Sequence, residues 1–369
     1  QRLRRFRPQR KMSIAEVEAC IREHVIGAKR AVEAGYDIIE ISGIVGYLIS
    51  NFVSSYTNWR SDEYGGDIHG RSTFMRKIVE GIRKEIGVDI ALGIRLCGWE
   101  MLDDRGGNKE EESMESLLIA ETAGCDYLSV TVGWQESMGS VISRDIPMGK
   151  WLYIAERAKK ALKIPVSMAY RLFTPEIPEE AIANGKLDIW EMCRPQIADP
   201  ALPNKIMWDK QEDIIPCIAC QVCLARLFRD APVTCTVRPS CSHEGEHEWG
   251  YYGFPKTEIK RKIIVAGAGI AGLQAASIAA EKGHDVTVYE KTGNVGGQWY
   301  LASRNPYGED TGKYWDDQEF IRWVNHMKAQ CDKHGAKFVL NTPLTKELLE
   351  KENPDSLVIA TGAVPEVPD

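Results

Sequence analysis

The stretch from Lys262 to Glu290 constrains the fold of this chain more than any other. Residues 262–266 form a β-rich apolar pattern, and the GAGIAG sequence that follows them is a G-x-G-x-x-G turn opening a helical pattern. Residues 286–290 form a second strand pattern, and its last residue, Glu290, comes eighteen residues after Gly272. Such glycines let main-chain N–H groups approach a pyrophosphate at the start of a helix, and the carboxylate takes ribose hydroxyls. The stretch therefore predicts a Rossmann-like dinucleotide-binding domain.

Two further segments agree with this prediction. Gly296-Gly297-Gln298 follows the second strand pattern, and Ala360-Thr361-Gly362 follows another apolar strand pattern. Because all these parts occur in the expected order, a chance glycine turn is the weaker explanation. The candidate dinucleotide-binding residues are Gly267, Gly269, Gly272, Glu290, Gly297 and Gln298.

The part of the chain before residue 212 alternates strand and helix patterns of one kind. After a helix that begins at Ser13, strands are predicted at 37–41, 90–96, 127–132, 165–169 and 187–192. The intervening segments predict a long, functional loop at about 42–70 and helices at 71–86, 110–123, 150–162, 178–184 and 200–208. This alternation implies a parallel sheet, either doubly wound or part of an eight-fold barrel. No glycine-rich phosphate turn follows these strands, which favours the barrel, whose sites lie in loops after the strand C-termini.

Four cysteines lie between these two modules in the spacing C-x2-C-x2-C-x11-C; they are Cys217, Cys220, Cys223 and Cys235. Three cysteines two residues apart cannot share one side of a regular helix or strand, so they suit a loop around an inorganic centre. Thiolates hold zinc or an iron–sulfur cluster, and a triple plus one distant cysteine favours the cluster over the separated pairs of zinc sites. Cys241 is an alternative fourth ligand, and purely structural thiols are the remaining explanation.

Length and composition limit the number of domains, the class of partner and the cellular compartment that we expect. The chain has 369 residues, enough for two domains, and its net charge of −7 gives no support for a nucleic-acid partner. Its apolar runs are too short to cross a bilayer, and the basic first ten residues lack the apolar segment of a signal peptide. Ten cysteines without such a signal indicate a reducing compartment, so we expect a cytoplasmic protein with no membrane partner. Both ends interrupt a pattern, so we also expect a fragment of a longer polypeptide.

The order of these features resembles the family of 2,4-dienoyl-CoA reductase, 2-enoate reductase and trimethylamine dehydrogenase. The matching stretches are Gly46-Tyr47-Leu48, residues 58–66 (NWRSDEYGG), Arg95, Gly133-Trp134, Cys193-Arg194-Pro195, residues 197–200 (IADP), the four cysteines and residues 265–362. The resemblance implies an α/β chain in which part of an FMN-binding TIM barrel precedes a 4Fe–4S segment and a Rossmann-like FAD/NAD(P)-binding domain. The implied parts are a basic arm (1–12), about barrel strands 4 to 8 (13–212), the cluster segment (213–258) and the beginning of an FAD- or ADP-binding domain (259–369).

The resemblance also implies roles for individual residues. Arg95, at the end of a strand, would meet the pyrimidine edge of FMN and stabilise its reduced anionic form. Arg171 and Arg194 follow the seventh and eighth barrel strands and would bind the FMN phosphate with paired donors. Tyr47 would donate a proton to a substrate carbon while the flavin delivers hydride to the neighbouring carbon.

Gln135 marks a departure from the dienoyl-CoA reductases, in which a histidine follows the Gly-Trp pair and takes part in a proton relay. Glutamine can form hydrogen bonds but cannot relay a proton near neutral pH. We therefore assign Gln135 to the catalytic site and leave open a substrate other than a dienoyl-CoA. The cysteine spacing is also nearer to that of trimethylamine dehydrogenase.

The leading hypothesis is an ene-reductase that passes electrons from NAD(P)H through FAD and the 4Fe–4S cluster to FMN. Its substrate would be a small α,β-unsaturated molecule, either an enoyl-CoA, an enoate or an enone. The alternative is an amine dehydrogenase or demethylase that gives electrons to an external electron-transfer flavoprotein, with ADP or nothing in the second module. A third hypothesis is a zinc-stapled structural protein with a vestigial nucleotide fold. We also expect that the protein can form a homo-oligomer.

Overall fold

The structure, a computed structural model, describes residues 10–137, 141–249, 253–303 and 318–363. The chain divides into two compact units, Gln1–Met192 and Cys193–Asp369. The cysteine segment thus belongs to the same compact unit as the glycine-rich turn. No helix in the described ranges is long and apolar enough to cross a membrane.

The first unit is built on a sheet of five parallel strands in the order β1-β2-β3-β4-β5. The strands are β1 (Ile38–Gly43), β2 (Ala91–Trp99), β3 (Tyr127–Val132), β4 (Val166–Met168) and β5 (Ile189–Trp190). Each strand pairs with the next one in the chain, as in a TIM barrel, whereas a doubly wound sheet reverses its order at one point. The prediction of a partial barrel is therefore confirmed.

Seven helices described for this unit alternate with its strands: α1 (Ile14–Glu33), α2 (Leu48–Val53), α3 (Ile68–Arg71), α4 (Thr73–Ile86), α5 (Glu110–Thr122), α6 (Leu152–Ala161) and α7 (Glu176–Ala183). At the start of α1, Ser13 Oγ accepts from Glu16 N (3.3 Å), and the Glu16 carboxylate accepts from Ser13 N (2.8 Å). The predicted capping box is therefore present.

Along each strand of the first unit, successive side chains lie on opposite faces of the sheet. Ile94 and Val130 are fully buried in the apolar cluster that the helices share, together with residues such as Ile82 on α4. Neighbouring positions such as Arg95 and Ser129, which are in register, lie on the opposite face of the sheet. The polar face of this sheet therefore carries Arg95, the candidate flavin-binding arginine.

The second unit contains a sheet of four parallel strands in the order β8-β7-β6-β9. The strands are β6 (Lys262–Ala266), β7 (Asp285–Tyr289), β8 (Lys337–Val339) and β9 (Ser356–Ile359), and the helices are α8 (Arg194–Ala198), α9 (Leu202–Met207), α10 (Val222–Leu227), α11 (Ile270–Glu281), α12 (Trp299–Ala302), α13 (Gln318–Lys333) and α14 (Lys346–Glu352). Strand β6, which leads into the glycine-rich turn, is central and pairs with β7 and β9. This is the predicted Rossmann-like arrangement.

Two local predictions need correction. The segment 42–70 is not one continuous loop, because α2 and the beginning of α3 interrupt it. The prediction missed α2 because Leu48–Val53 is a single short apolar run, whose length fits a strand as well as a helix. The segment from Cys217 to Cys223 is likewise not entirely a loop, because Cys223 lies in the first turn of α10.

Candidate functional site

The glycine-rich turn after β6 is enclosed by main chain at two of its three glycines. Gly267 has a φ of +100°, and a Cβ there would lie 2.4 Å from the oxygen of Ala360. A Cβ on Gly272 would lie 1.9 Å from the oxygen of Gly267, so α11 packs directly on the turn. Gly269 differs, because its φ is −70° and nothing lies within 4 Å of its Cβ position. The fold requires the first and third glycines, whereas the second leaves open space at the N-terminus of α11, where a phosphate would bind.

Glu290, directly after β7, supports the turn from the neighbouring strand. Its Oε2 accepts a hydrogen bond from Ala268 N (2.8 Å), and its Oε1 accepts from N and Oγ1 of Thr292 (2.9 Å each). Burial acts to raise the pKa of Glu290, but these hydrogen bonds outweigh burial and lower the pKa below its ordinary value. A carboxylate offers about four acceptor positions, so room remains for a ribose hydroxyl.

The second glycine segment closes over the same turn. Gly296 N donates to Ala268 O (2.7 Å), and Gly296 pairs with Gly269 in a parallel bridge. A Cβ on Gly297 would lie 3.2 Å from the Cα of Gly269. Gln298 Nε2 donates to the main-chain oxygen of Ala363 (2.9 Å), just beyond β9. The structure therefore brings all the candidate dinucleotide-binding residues to one end of the sheet.

The cysteine loop owes its shape to residues in the left-handed region. Ala219 has a φ of +50° and Gln221 one of +59°, so the main chain between Cys217 and Cys223 is neither a regular helix nor a strand at these two residues. Cys220 is exposed, and its Sγ lies 3.2 Å from Oγ1 of Thr236, the residue after Cys235. The loop and the distant fourth cysteine are thus neighbours.

One or two main-chain N–H groups lie near each of three predicted ligand sulfurs, those of Cys217, Cys223 and Cys235. Burial raises the pKa of Cys217 to about 12 and that of Cys235 to about 11. Main-chain N–H groups near these two sulfurs and near Cys223 act in the opposite direction, as does the charge of Arg194 on Cys217 and Cys223. These groups act toward the thiolate form that metal ligation requires, although burial has the larger effect on the pKa of each thiol.

Within the described ranges, no group of three or more His, Cys, Asp and Glu side chains is arranged so that it could hold a metal ion. A 4Fe–4S cluster presents a separate iron to each thiolate, so its four cysteines do not need to converge on one point. Soft thiol donors, main-chain N–H groups and a nearby cation are a donor set that fits such a cluster.

Arg95 is held between two carboxylates on the polar face of the barrel sheet. Its guanidinium donates to Glu191 Oε2 (2.5 Å) and Ser129 Oγ (2.8 Å), and lies 3.3 Å from Glu40 Oε1. Burial raises the pKa of Glu40, and the charge of Arg95 opposes that shift. Arg95 is therefore fixed in position before any flavin binds.

The two predicted phosphate-binding arginines have different surroundings, and their roles stay predictions. Arg171 is 1% exposed with a φ of +57°, and its Nε donates to Ile146 O (2.6 Å). Its guanidinium also lies 4.9 Å from the centre of the Phe173 ring. Arg194 is half-buried at the start of α8, where its charge acts on the cysteine loop.

The two predicted catalytic residues lie in the segments that follow strands β1 and β3 of the barrel sheet. Tyr47 is 53% exposed and is the N-cap residue of α2, after β1. Gln135 is exposed in the turn after β3. A Cβ on Gly46 would lie 3.3 Å from Cε3 of the buried Trp134, so the two turns are in contact. The structure thus brings Tyr47 and Gln135 to the same end of the parallel strands.

Sequence reasoning missed two carboxyl groups at this end of the barrel, the buried one of Glu100 and the partly buried one of Glu191. Glu100 and Glu191 each come directly after a strand, β2 and β5 respectively. A charged residue at the C-terminal end of a barrel strand is a recognised signal for a functional position. Neither residue belongs to the stretches on which the family resemblance was based, and so neither was predicted.

Comparison with known proteins identifies both units. Residues 2–213 match the family described as NADH:flavin oxidoreductase / NADH oxidase, and residues 265–315 match an NAD(P)-binding Rossmann-like domain. A solved complex of 2-naphthoyl-CoA reductase superposes with a TM-score of 0.90 at 40% identity, over 99% of this chain and 54% of that one. These matches agree with the two folds described above.

Three curated relatives align with 95–96% of the chain. A metal reductase of Desulforamulus reducens is 36% identical over 360 residues, covering 96% of this chain and 51% of that protein. A cinnamate reductase of Clostridium sporogenes is 33% identical over 374 residues, covering 96% and 54%. A dimethylamine dehydrogenase of Hyphomicrobium is more distant, at 29% identity over 95% of this chain and 47% of that protein. The chain spans about half the length of the curated relatives it matches.

Proposed function

The chain belongs to the NADH:flavin oxidoreductase / NADH oxidase family, and on this premise we propose that it carries the redox centres of an NAD(P)H-dependent ene-reductase. In this proposal electrons pass from NAD(P)H through FAD and a 4Fe–4S cluster to FMN. The substrate is a small molecule with a double bond conjugated to a carbonyl group, as a thioester, a carboxylate or a ketone.

The observation that carries the proposal is the combination of three features in one chain. The first unit matches the flavin oxidoreductase family, and the second holds a complete dinucleotide turn. A cysteine loop with main-chain donors around its sulfurs belongs to that second unit. The names of two relatives, 2-naphthoyl-CoA reductase and cinnamate reductase, support a conjugated acceptor.

Bound FMN would supply hydride from its reduced ring. The residues of this chain would then hold the flavin and provide the proton. Arg95, fixed by Glu40 and Glu191, is suited to meet the electron-rich edge of a reduced flavin. Tyr47 is exposed, so its phenol is accessible to a substrate. General acid catalysis by a positioned phenol contributes roughly 10²–10⁴-fold to rate.

A second candidate is an amine dehydrogenase or demethylase that passes electrons to an external flavoprotein. It is favoured by the relation to dimethylamine dehydrogenase and by Gln135, which stands where a reductase of dienoyl-CoA has its relay histidine. The two candidates differ in the direction of electron flow between substrate and flavin.

Anaerobic mixing experiments separate the two candidates. The purified protein, reconstituted with FMN, FAD, iron and sulfide, is mixed first with NADH and NADPH and then with acceptors. We expect prompt flavin bleaching by a reduced nicotinamide and reoxidation by an enoyl-CoA, an enoate or a cyclic enone. Bleaching by dimethylamine or trimethylamine, with none by either nicotinamide, would overturn the reductase proposal in favour of the second candidate.

A further inference from the structure

Glu100 lies at the point where the elements bearing Tyr47 and Gln135 meet the end of β2. It is the residue directly after this strand and is 2% exposed. A buried glutamate needs a specific environment, because burying a carboxylate without partners is costly. Its side chain and its main chain form separate sets of contacts.

The side chain of Glu100 holds the C-terminal end of α2. Its Oε2 accepts hydrogen bonds from Ser54 Oγ (2.7 Å) and Asn108 N (3.0 Å). Ser54 is the C-cap of α2, and Tyr47 is the N-cap of this six-residue helix. Asn108 Oδ1 also accepts from Ser55 N (3.1 Å), which ties the same end of α2 a second time. A shift of this end therefore moves Tyr47.

The main chain of Glu100 holds the turn that contains Gln135. Its carbonyl oxygen accepts from Ser137 Oγ (2.8 Å), and that hydroxyl oxygen accepts from Trp134 N (2.6 Å). The turn closes with Ser137 N donating to Trp134 O (3.3 Å). Gln135 thus lies in a short loop in which Ser137 is anchored at Glu100 and Trp134 is bonded to Ser137.

Among the contacts of the described residues, the Glu100 carboxyl group forms no direct ion pair with a charged side chain. The guanidinium of Arg71, on α3, donates to Glu112 (2.7 Å), to Asn108 Oδ1 (2.9 Å) and to the main-chain oxygens of Val53 and Gly66. Burial raises the pKa of Glu100 to about 7; its hydrogen bonds and Arg71 oppose the shift, and Glu112 adds to it. The neighbouring Cys97 thiol stays neutral, since burial and Glu100 both raise its pKa.

We propose that Glu100 is a positioning residue that clamps the Tyr47 helix through its carboxyl group and the Gln135 turn through its carbonyl oxygen. The catalytic consequence rests on the proposed function, because it assumes that Tyr47 is the proton donor. Burial outweighs these hydrogen bonds in setting the pKa of Glu100, so the clamp on α2 is more stable with the neutral carboxyl group than with the carboxylate.

The kinetic test compares the wild-type protein with Glu100→Gln over pH 5.5–8.5, using the acceptor that best reoxidises the flavin. Below about pH 6 the two proteins carry a neutral group here, so their kcat/KM values should agree. Above about pH 8 the variant should be about fivefold faster than the wild type, because the buried carboxylate favours opening of the clamp, whereas the amide oxygen of Gln can still accept from Ser54 and Asn108. Glu121→Gln is the matched control, because Glu121 also accepts two main-chain N–H bonds, from Lys163 and Ile164. Parallel pH profiles for wild type and Glu100→Gln would overturn the proposal.

Hydrogen exchange provides a readout that does not depend on catalysis. At pH 8, Glu100→Gln should decrease exchange in residues 47–56 relative to the wild type, and Ser137→Ala should increase exchange in residues 133–137. Glu121→Gln should leave both segments unchanged. If no acceptor is reduced but these changes occur, the proposed function fails while the clamp stands. Unchanged exchange in both segments would refute the clamp whatever the activity.

Discussion

Glu100 and Glu290 illustrate how surroundings give two buried glutamates opposite properties. Glu290 accepts three hydrogen bonds, two of them from main-chain N–H groups, and its pKa falls. Glu100 accepts from one hydroxyl and one N–H group, and burial dominates, so its pKa rises to about 7. The first glutamate is therefore a permanent anion at neutral pH, whereas the second titrates there.

The raised pKa of Glu100 predicts a pH-dependent loss of stability. Between pH 4.5, its ordinary pKa, and about 7, the folded protein keeps a proton that the unfolded chain has released. Stability therefore falls as pH rises through this window, on the order of 3 kcal/mol relative to Glu100→Gln. Denaturant unfolding of both proteins at pH 5 and pH 8 measures the difference. A wild-type protein that gains stability over Glu100→Gln with rising pH would contradict it.

Individual site residues were harder to predict from the sequence than the helices and strands that carry them. Glu290 was predicted because its distance from a glycine motif has a known physical meaning. Glu100 has no such motif, and its burial depends on Ser54 and Asn108, which come from distant positions in the chain. The ion pair between Arg95 and Glu191 joins residues 96 positions apart and was equally hidden.

Helices and strands were predicted more successfully where the periodic pattern of apolar residues was long. Strand β3 and strand β6 have the predicted bounds, and α5 differs from its prediction by one residue. The short helices α2 and α10 were missed because fewer than two turns carry no reliable period. Strand β5 was predicted at 187–192 but pairs only at Ile189 and Trp190, since pairing depends on β4 and not on local propensity.

The glycine turn of the second unit yields a prediction at the level of this element. Gly272→Ala should destabilise the unit by several kcal/mol, because its Cβ would overlap the oxygen of Gly267. Gly269→Ala should leave stability within about 0.5 kcal/mol, since its Cβ position is open. It should nevertheless weaken ADP binding about tenfold or more, because the methyl group occupies the space at the start of α11. Thermal unfolding and calorimetric titration of flavin-free protein with ADP measure both effects. Equal ADP affinity in Gly269→Ala and wild type would be inconsistent with a phosphate site there.

At the scale of the whole molecule, the chain contains two domains with different folds, and the first of them matches the flavin oxidoreductase family. The alternation of strands and helices predicted the barrel portion, and the glycine motif predicted the Rossmann-like domain; both predictions are confirmed. The substrate could not be predicted in the same way, because substrate contacts depend on loops whose conformations have no periodic signal. The cluster ligands Cys217, Cys220, Cys223 and Cys235 stay a prediction that chemistry favours.

The most direct test of the account is an anaerobic stopped-flow comparison of wild type with Cys220→Ala, each reconstituted with FMN, FAD, iron and sulfide and mixed with NADH. Cys20→Ala is the matched control, since Cys20 lies on α1 in the other unit. We expect NADH to bleach both flavins in wild type and in the control. In Cys220→Ala the FAD should still bleach while FMN stays oxidised. Bleaching of FMN at the wild-type rate in Cys220→Ala would contradict electron transfer through the cysteine loop.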